Sequence, residues 1–334
     1  MSSAFEVLDC PVPASVQDLG RPGFRRFGVP TSGALDAVSL RLANALVGNP
    51  QGAAALEMRL IGPRLRALVP LRVALAQAEG VIDTAEGGRK ALPPWQSAML
   101  AAGDVLKIGK VTVGAGYLAV AGGFAVPPVL GSRSTYARAG FGQLLQKDMC
   151  LPVGQAELSG PERAVLPAPT FAAGPLRVIP GPQRERFTDA AWETFLCAGF
   201  TVTPQADRMG LRLSGPKLDH VAGADIVSDA VTPGAIQVPG DGRPIVLLAD
   251  GQTVGGYAKI ATVISADLPR LGRLLPGDAI RFAAVTVDEA LAALRAQEEW
   301  LAATIAAIRP LAMGEPDLAA LYETNLVDGV IHAE

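Results

Sequence analysis

The sequence predicts a mainly β protein built from two related domains, with a few short helices and a helix near the C-terminus. Three observations predict it. The chain has 334 residues, enough for two ordinary domains. It carries 37 glycines and 27 prolines spread along its length, which suits many short strands joined by turns rather than long helices. It also contains an internal repeat. Arg59–Leu65 (RLIGPRL) aligns with Arg212–Leu218 (RLSGPKL), and Leu100–Ile108 (LAAGDVLKI) with Leu274–Phe282 (LLPGDAIRF), in the same order but with different spacing. Two related β domains with different insertions would give that pattern.

Taken in order, Phe5–Leu8 reads as a first strand. Val16–Gly33 follows as a long ordered loop whose glycines and prolines fix the backbone. Asp18, Arg21 and Ser32 lie in that loop and are candidate ligand-binding groups. Leu35–Val47 is a helix with an apolar stripe, stopped by Gly48-Asn49-Pro50; Asn44, off the stripe, reads as a solvent residue. Glu57 lies in an apolar run and is either catalytic or paired structurally, in which case Arg59 or Arg64 could supply the partner. Leu71–Phe124 reads as successive short strands, with Gly103-Asp104 as a hairpin signal. Gly131–Gly142 is a second polar, glycine-rich loop, able to bind an anion, dock a partner or lie in solvent.

Residues 151–174 are rich in Pro, Gly and Ala without a period and read as a linker. The first domain is placed at 1–165, the second at 175–285, and a C-terminal helix and tail at 286–334. Leu176–Gln183 opens the second domain as a strand and turn, Thr188 caps a short helix ending at Cys197, and two strands flank QADRMG at 205–210. Thr286 and Glu289 form a T-x-x-E capping box for a helix over Val287–Ile308. The tail, Leu311–Glu334, would wrap its own domain or a partner.

Composition narrows the function classes. An apolar fraction of 49% supports sizeable cores. Net charge is −3 and the isoelectric point about 5.6, which points to no nucleic acid or acidic membrane surface. Charged residues are 18% of the chain, fewer than the usual ~25%, as expected of a surface partly covered by another polypeptide or of a rich core. Three scattered cysteines, Cys10, Cys150 and Cys197, fit a reducing, cytoplasmic setting. No signal peptide and no membrane span are expected. Two histidines and no C-x-x-C make a metal site improbable, and there is no P-loop, no G-x-S-x-G and no biotinylation signature.

The stretch Thr232–Ile264 holds most of the remaining chemistry. Gly234–Val238 and Ile245–Ala249 read as strands and Pro239–Gly242 as a turn. Gln237, Asp241, Asp250, Gln252, Thr253, Gly255, Gly256, Tyr257 and Lys259 place polar groups beside glycines, where backbone can approach a small ligand. Lys259 either meets an anionic group or developing oxyanion, or is an ordinary solvated lysine. Asp241 and Asp250 are either bases and ligand anchors or turn formers. Gln237 and Gln252 could hold an amide or urea-like group through paired donors and acceptors, and Tyr257 could stack, donate a proton or pack.

Val16–Asp36 (VQDLGRPGFRRFGVPTSGALD), Leu40–Pro50, Asp207–Pro216 (DRMGLRLSGP), Gly234–Leu271 and Pro276–Phe282 together resemble the biotin-dependent carboxyltransferase family, also called allophanate hydrolase subunit 2 or urea amidolyase-related. That family includes the C subunit of 5-oxoprolinase and a KipA-type kinase-inhibitor antagonist. The resemblance implies two cyclophilin-like β-barrel domains. It implies work beside a smaller homologous B subunit, and in 5-oxoprolinase beside an A subunit as well. It implies ATP-driven opening of the 5-oxoproline lactam, with ATP bound here or by a partner, and no biotin attached to this chain. The alternatives are a carboxyltransferase acting on urea with a separate biotin carrier, and a non-catalytic regulatory binder. Lys259, Asp250 and Gln237 are the expected catalytic residues. Val254 stands where the family pattern has threonine, removing one hydroxyl.

Overall fold

The computed structural model describes residues 3–311; the tail read above as a wrap lies, from residue 312 onward, outside the described residues. The mainly β expectation holds. Among the described residues there are three large sheets, a two-stranded ribbon and four α-helices.

The N-terminal half packs two antiparallel sheets around a shared core. One runs in the order Cys150–Pro152, Ser3–Asp9, Arg64–Ala67, Val105–Val111, Ala78–Asp83, Arg89–Leu92. The other runs Ser15–Gln17, Ala55–Met58, Gly116–Val120, Leu71–Ala76, Gln96–Leu100, Arg163–Ala164, Arg309–Pro310. Arg64–Ala67 alternates exposed and buried, as a strand with one solvated face should, whereas Leu71–Ala76 is buried throughout, as its unbroken apolar run requires. Phe5, Leu56, Leu65, Val73, Leu106 and Leu118 fill the space between.

Gly103-Asp104 is a corner, not a hairpin. The strand before it pairs in one sheet and the strand after it in the other. The Asp104 carboxylate holds the corner by accepting from the N–H of Ala101 (2.8 Å) and of Ala85 (2.9 Å). Its sequence repeat behaves alike: Asp278 accepts from Leu275 N–H at 2.8 Å. Gly103 and Gly277 each donate at 2.8 Å to the carbonyl of a neighbouring strand, at Ala67 and Val202 respectively. The other repeat diverges. Arg64-Leu65 begin a strand, while Ser214 ends one and Leu218 donates to Gly242 in a loop.

The C-terminal half is an eight-stranded sheet ordered Ala279–Ile280, Phe200–Val202, Gly210–Ser214, Ile245–Leu247, Ala235–Gln237, Lys259–Val263, Leu176–Pro180, Phe282–Ala284. Only its last pairing is parallel. This sheet is a nearly closed barrel, whose edge strands Ala279–Ile280 and Phe282–Ala284 are separated only by Arg281. Phe195 and Phe282 stack at 4.5 Å beneath it.

Helix α1 (Ala37–Leu46) starts at Asp36, whose carboxylate accepts from Ser39 N–H. Asn44 is not a solvent residue. It is buried, donating to Ala53 O at 2.7 Å and accepting from Asn49 at 2.9 Å, which ties the helix to the loop after it. Helix α2 (Asp189–Cys197) has the expected Thr188 cap, α3 is Leu268–Gly272, and α4 (Val287–Ala306) opens on the expected capping box.

The segment 151–174 is an ordered strap. Arg72 donates to the carbonyls of Leu158, Ser159 and Gly160, and Glu162 accepts from Lys90 and from Met99 N–H. Its anchors come from other strands, so its own composition does not show them. One hydrophobic cluster joins α1 of the first half to Val178, Phe195 and Phe282 of the second. At the seam a Cβ on Gly272 would meet the Leu35 carbonyl at 2.5 Å, and one on Gly114 the Leu274 carbonyl at 2.4 Å. Among the described residues no helix is long and apolar enough to cross a membrane.

Candidate functional site

Gln237 and Lys259 sit opposite each other on adjacent strands of the eight-stranded sheet. The residues between, read from sequence as loop, include a strand: Val254–Tyr257 pairs with Asp225–Ala230 as a separate ribbon. Its glycines serve a close approach. A Cβ on Gly255 would lie 2.4 Å from the Gln237 amide nitrogen. The Gln237 Nε2 donates weakly to Tyr257 O at 3.5 Å, and its Oε1 accepts from Gln252 Nε2 at 3.1 Å.

The ribbon places a carboxylate over Lys259. The ammonium donates to Asp229 Oδ2 at 2.7 Å and to Ala230 O at 3.2 Å. Lys259 is 2% exposed, so it is not a solvated lysine; the Asp229 side chain remains 48% exposed. The hydrogen bond from Lys259 holds the Asp229 carboxyl below its ordinary pKa. Gln183 braces the pair, donating to Asp229 and accepting from Lys259 N–H, each at 3.3 Å.

Asp250 faces the seam between the halves. Both its oxygens accept from Arg208, at 2.8 and 3.3 Å. Arg208 also donates to Glu57 and, at 2.7 Å, to Gly33 O. Arg208, not Arg59 or Arg64, is therefore the partner of Glu57; it arrives from the other half of the chain, while Arg59 donates to Gly114 O. Tyr117 donates to Glu57 at 2.7 Å and accepts from Asp36 N–H at 2.8 Å. Burial pushes the Tyr117 pKa well up, and the charges of Glu57 and Asp36 reinforce it. Burial alone would lower that of Arg208, but Glu57 and Asp250 overcome this and hold it above the ordinary value.

The first glycine-rich loop divides. Ser32 meets the second half, its N–H donating to Ala249 O at 3.0 Å. Asp18 turns to the other glycine-rich loop, accepting from Ser132 and Ser134 hydroxyls and from Arg133 N–H at 2.5–2.6 Å. Arg21 is buried beside it, donating to Ser134 O, with its guanidinium over the Phe141 ring. Asp241 is exposed and accepts from Arg243 N–H at 3.0 Å within its own turn, and the Thr253 carbonyl accepts from Val231 N–H. Tyr257 lies half-exposed on the ribbon. The structure thus groups Gln237, Gln252, Gly255, Gly256, Tyr257 and Lys259. It sets Asp250 and Ser32 at the seam and leaves Asp18, Arg21 and Asp241 on loop contacts.

Sequence reasoning missed Asp229, Gln183, Arg208 and Arg25. Only Arg208 carried a local signal, in the QADRMG turn between two strands. A cleft of about 680 Å³ lies elsewhere, lined by Phe171, Leu176, Arg270, Arg273 and Ile280. Its arginines are engaged, Arg270 by Asp267 and Arg273 by Asp36. Among the described residues no three His, Cys, Asp or Glu side chains stand together as a metal site needs.

What this geometry offers is a buried ammonium beside a chain of amides, with a network of buried charges behind it at the seam. Known proteins share the framework. The chain is 34% identical to the C subunit of 5-oxoprolinase from Haemophilus influenzae, covering 89% of this chain and 96% of that protein. It is 36% identical to the C subunit of 5-oxoprolinase from Escherichia coli, covering 86% and 93%. The crystal structure of Kluyveromyces lactis urea carboxylase matches with a TM-score of 0.79 and 33% identity over 90% of this chain, which spans only 29% of that longer one. Residues 27–284 match the family model "carboxyltransferase domain, subdomain A and B", and the chain belongs to that family.

Proposed function

We propose that this chain is the C subunit of a multi-component, ATP-dependent 5-oxoprolinase that opens the lactam of 5-oxo-L-proline to L-glutamate. The observation that carries the reading is the match along nearly the whole length of two proteins named as that 5-oxoprolinase component. The site supports it. A lactam presents one carbonyl and one N–H, which the Gln237–Gln252 pair can read with one donor and one acceptor. Lys259 lies beside the pair, and in this reading its ammonium stabilises the oxyanion that forms when the lactam carbonyl is attacked. Asp250, fixed by Arg208, positions the turn that carries Gln252.

A lactam is resonance-stabilised, so coupling its opening to ATP is chemically reasonable. We assign ATP to a partner polypeptide. Gly255-Gly256 here belongs to a strand, unlike the glycine loops that lead into a helix N-terminus and hold phosphates. The A and B components complete the assembly in this reading.

The test is reconstitution with the neighbouring-gene products, reading ATP-dependent glutamate release from 5-oxoproline. Activity lost in Lys259→Ala supports the assignment; an active complex whose Lys259→Ala variant keeps full turnover removes Lys259 from the chemistry. A second reading, carboxyl transfer to urea with biotin carried on another chain, is favoured by the likeness to urea carboxylase. Avidin-sensitive activity from a biotin-containing set, with none from the 5-oxoprolinase set, would replace the first reading by the second.

A further inference from the structure

Arg25 belongs to the first half of the chain but ends in the site of the second. It sits on a single 3-10 turn, Arg25–Phe27, closed by Gly28 in the left-handed region at φ +82°. From there its Nη2 crosses the seam and donates to Val231 O and to Gln252 O, the latter at 3.2 Å. Lys259 holds the adjacent carbonyl, Ala230 O. Two cations are thus fastened to consecutive peptide groups.

Their charges are not balanced. Lys259 has Asp229, but among the described residues Arg25 makes no ion pair. Its Nη1 is shut off from solvent with no hydrogen-bond partner. A buried charged N–H without an acceptor is costly, and this donor gains one only if the site rearranges around it. Burial also lowers the Arg25 pKa, with no compensating acid beside it. The acid on Lys259 is open to solvent: Asp229 is half-exposed, on a ribbon whose Val227 is 92% exposed. Gln252 links the two subsites: its carbonyl meets Arg25 and its amide meets Gln237.

We propose that Arg25 and Lys259 form a carboxylate-binding pair, so that this site selects a small amide bearing a carboxylate over a neutral one. Pinning of the seam alone would need only Nη2 and would leave ligand charge irrelevant. The proposal rests on the functional reading above for the amide subsite and adds the anionic one.

Calorimetry on the full chain tests it, with 5-oxo-L-proline, 5-oxo-L-prolinamide, urea and allophanate as probes. Thermal melting of each variant confirms that it is folded. A carboxylate-bearing probe should bind about tenfold or more tighter than its neutral counterpart. Arg25→Gln should abolish that preference, and Arg25→Lys should restore part of it. Equal binding of charged and neutral probes, no binding of either carboxylate, or an undiminished preference in folded Arg25→Gln would overturn the pair. Arg25-dependent binding of allophanate without 5-oxoproline would uphold the pair and remove the 5-oxoprolinase reading instead.

Discussion

Lys259 Nζ and Asp229 Oδ2 are 2.7 Å apart, and that bond joins a buried strand to an exposed ribbon. Its pH dependence follows from the lowered carboxyl pKa. A depressed folded-state pKa contributes stability that is present above the unfolded value and lost as pH falls through the folded one. The stability difference between wild type and Asp229→Asn should therefore be full at neutral pH, decline as pH falls below the ordinary carboxylate value, and vanish below the lowered one. Thermal melts across pH check this; a difference that survives at the acid end would mean the ribbon is held by something else.

Gly255→Ala should separate activity from stability. The new methyl would meet the tip of the Gln237 amide, a flexible group that can swing away, so the fold should lose no more than ~1–2 kcal/mol. Activity of the reconstituted complex should fall at least about tenfold, because Gln237 loses its place beside Gln252. Unchanged turnover would show that the Gln237–Gln252 pair is not used.

Arg208→Ala would strand Glu57 and Asp250 in the seam without their cation. Removing one partner of a buried charge network typically costs about 3–5 kcal/mol. Urea denaturation should reveal that loss, and Glu57→Gln in the same background should recover part of it. A variant as stable as wild type would mean that water reaches both carboxylates.

Gly272→Ala tests the contact between the halves at a place remote from Lys259. The methyl would press on the Leu35 backbone, which cannot yield as a side chain does. Overpacking of this kind costs roughly 1–3 kcal/mol. Hydrogen exchange should show the loss first at Leu35 and Gly114, whose amides are bonded along the seam; protection unchanged there would contradict the tight approach.

Where a feature is local, it was legible in the sequence. The Thr188 cap, the Thr286/Glu289 box and the polar residues beside Gly255 all declare themselves within a few positions. Gln237 and Lys259 stand out for the same reason, as polar groups at the end of one apolar strand and the start of another. Long-range pairing was not readable. Glu57 needed a partner, but nothing near it pointed to Arg208. Asp229 looked like one acid among several until the ribbon placed it over Lys259. Gly103-Asp104 announced a turn without saying that the two flanking strands belong to different sheets. The linker reading of 151–174 failed because the strap's anchors, Arg72 and Lys90, lie far upstream.

The seven-stranded sheet of the first half ends on Arg309–Pro310, next to Arg163–Ala164, and Leu311 N–H donates to Glu162 O at 2.8 Å. During synthesis this sheet stays unfinished until the ribosome has released almost all of the described chain. That last strand is itself the sheet's edge, and Pro310, which has no N–H to offer a further strand, blunts it. Yield in the cell should therefore depend on translation reaching residue 311, and a chain stopped just before α4's exit strand should aggregate although both halves are otherwise complete.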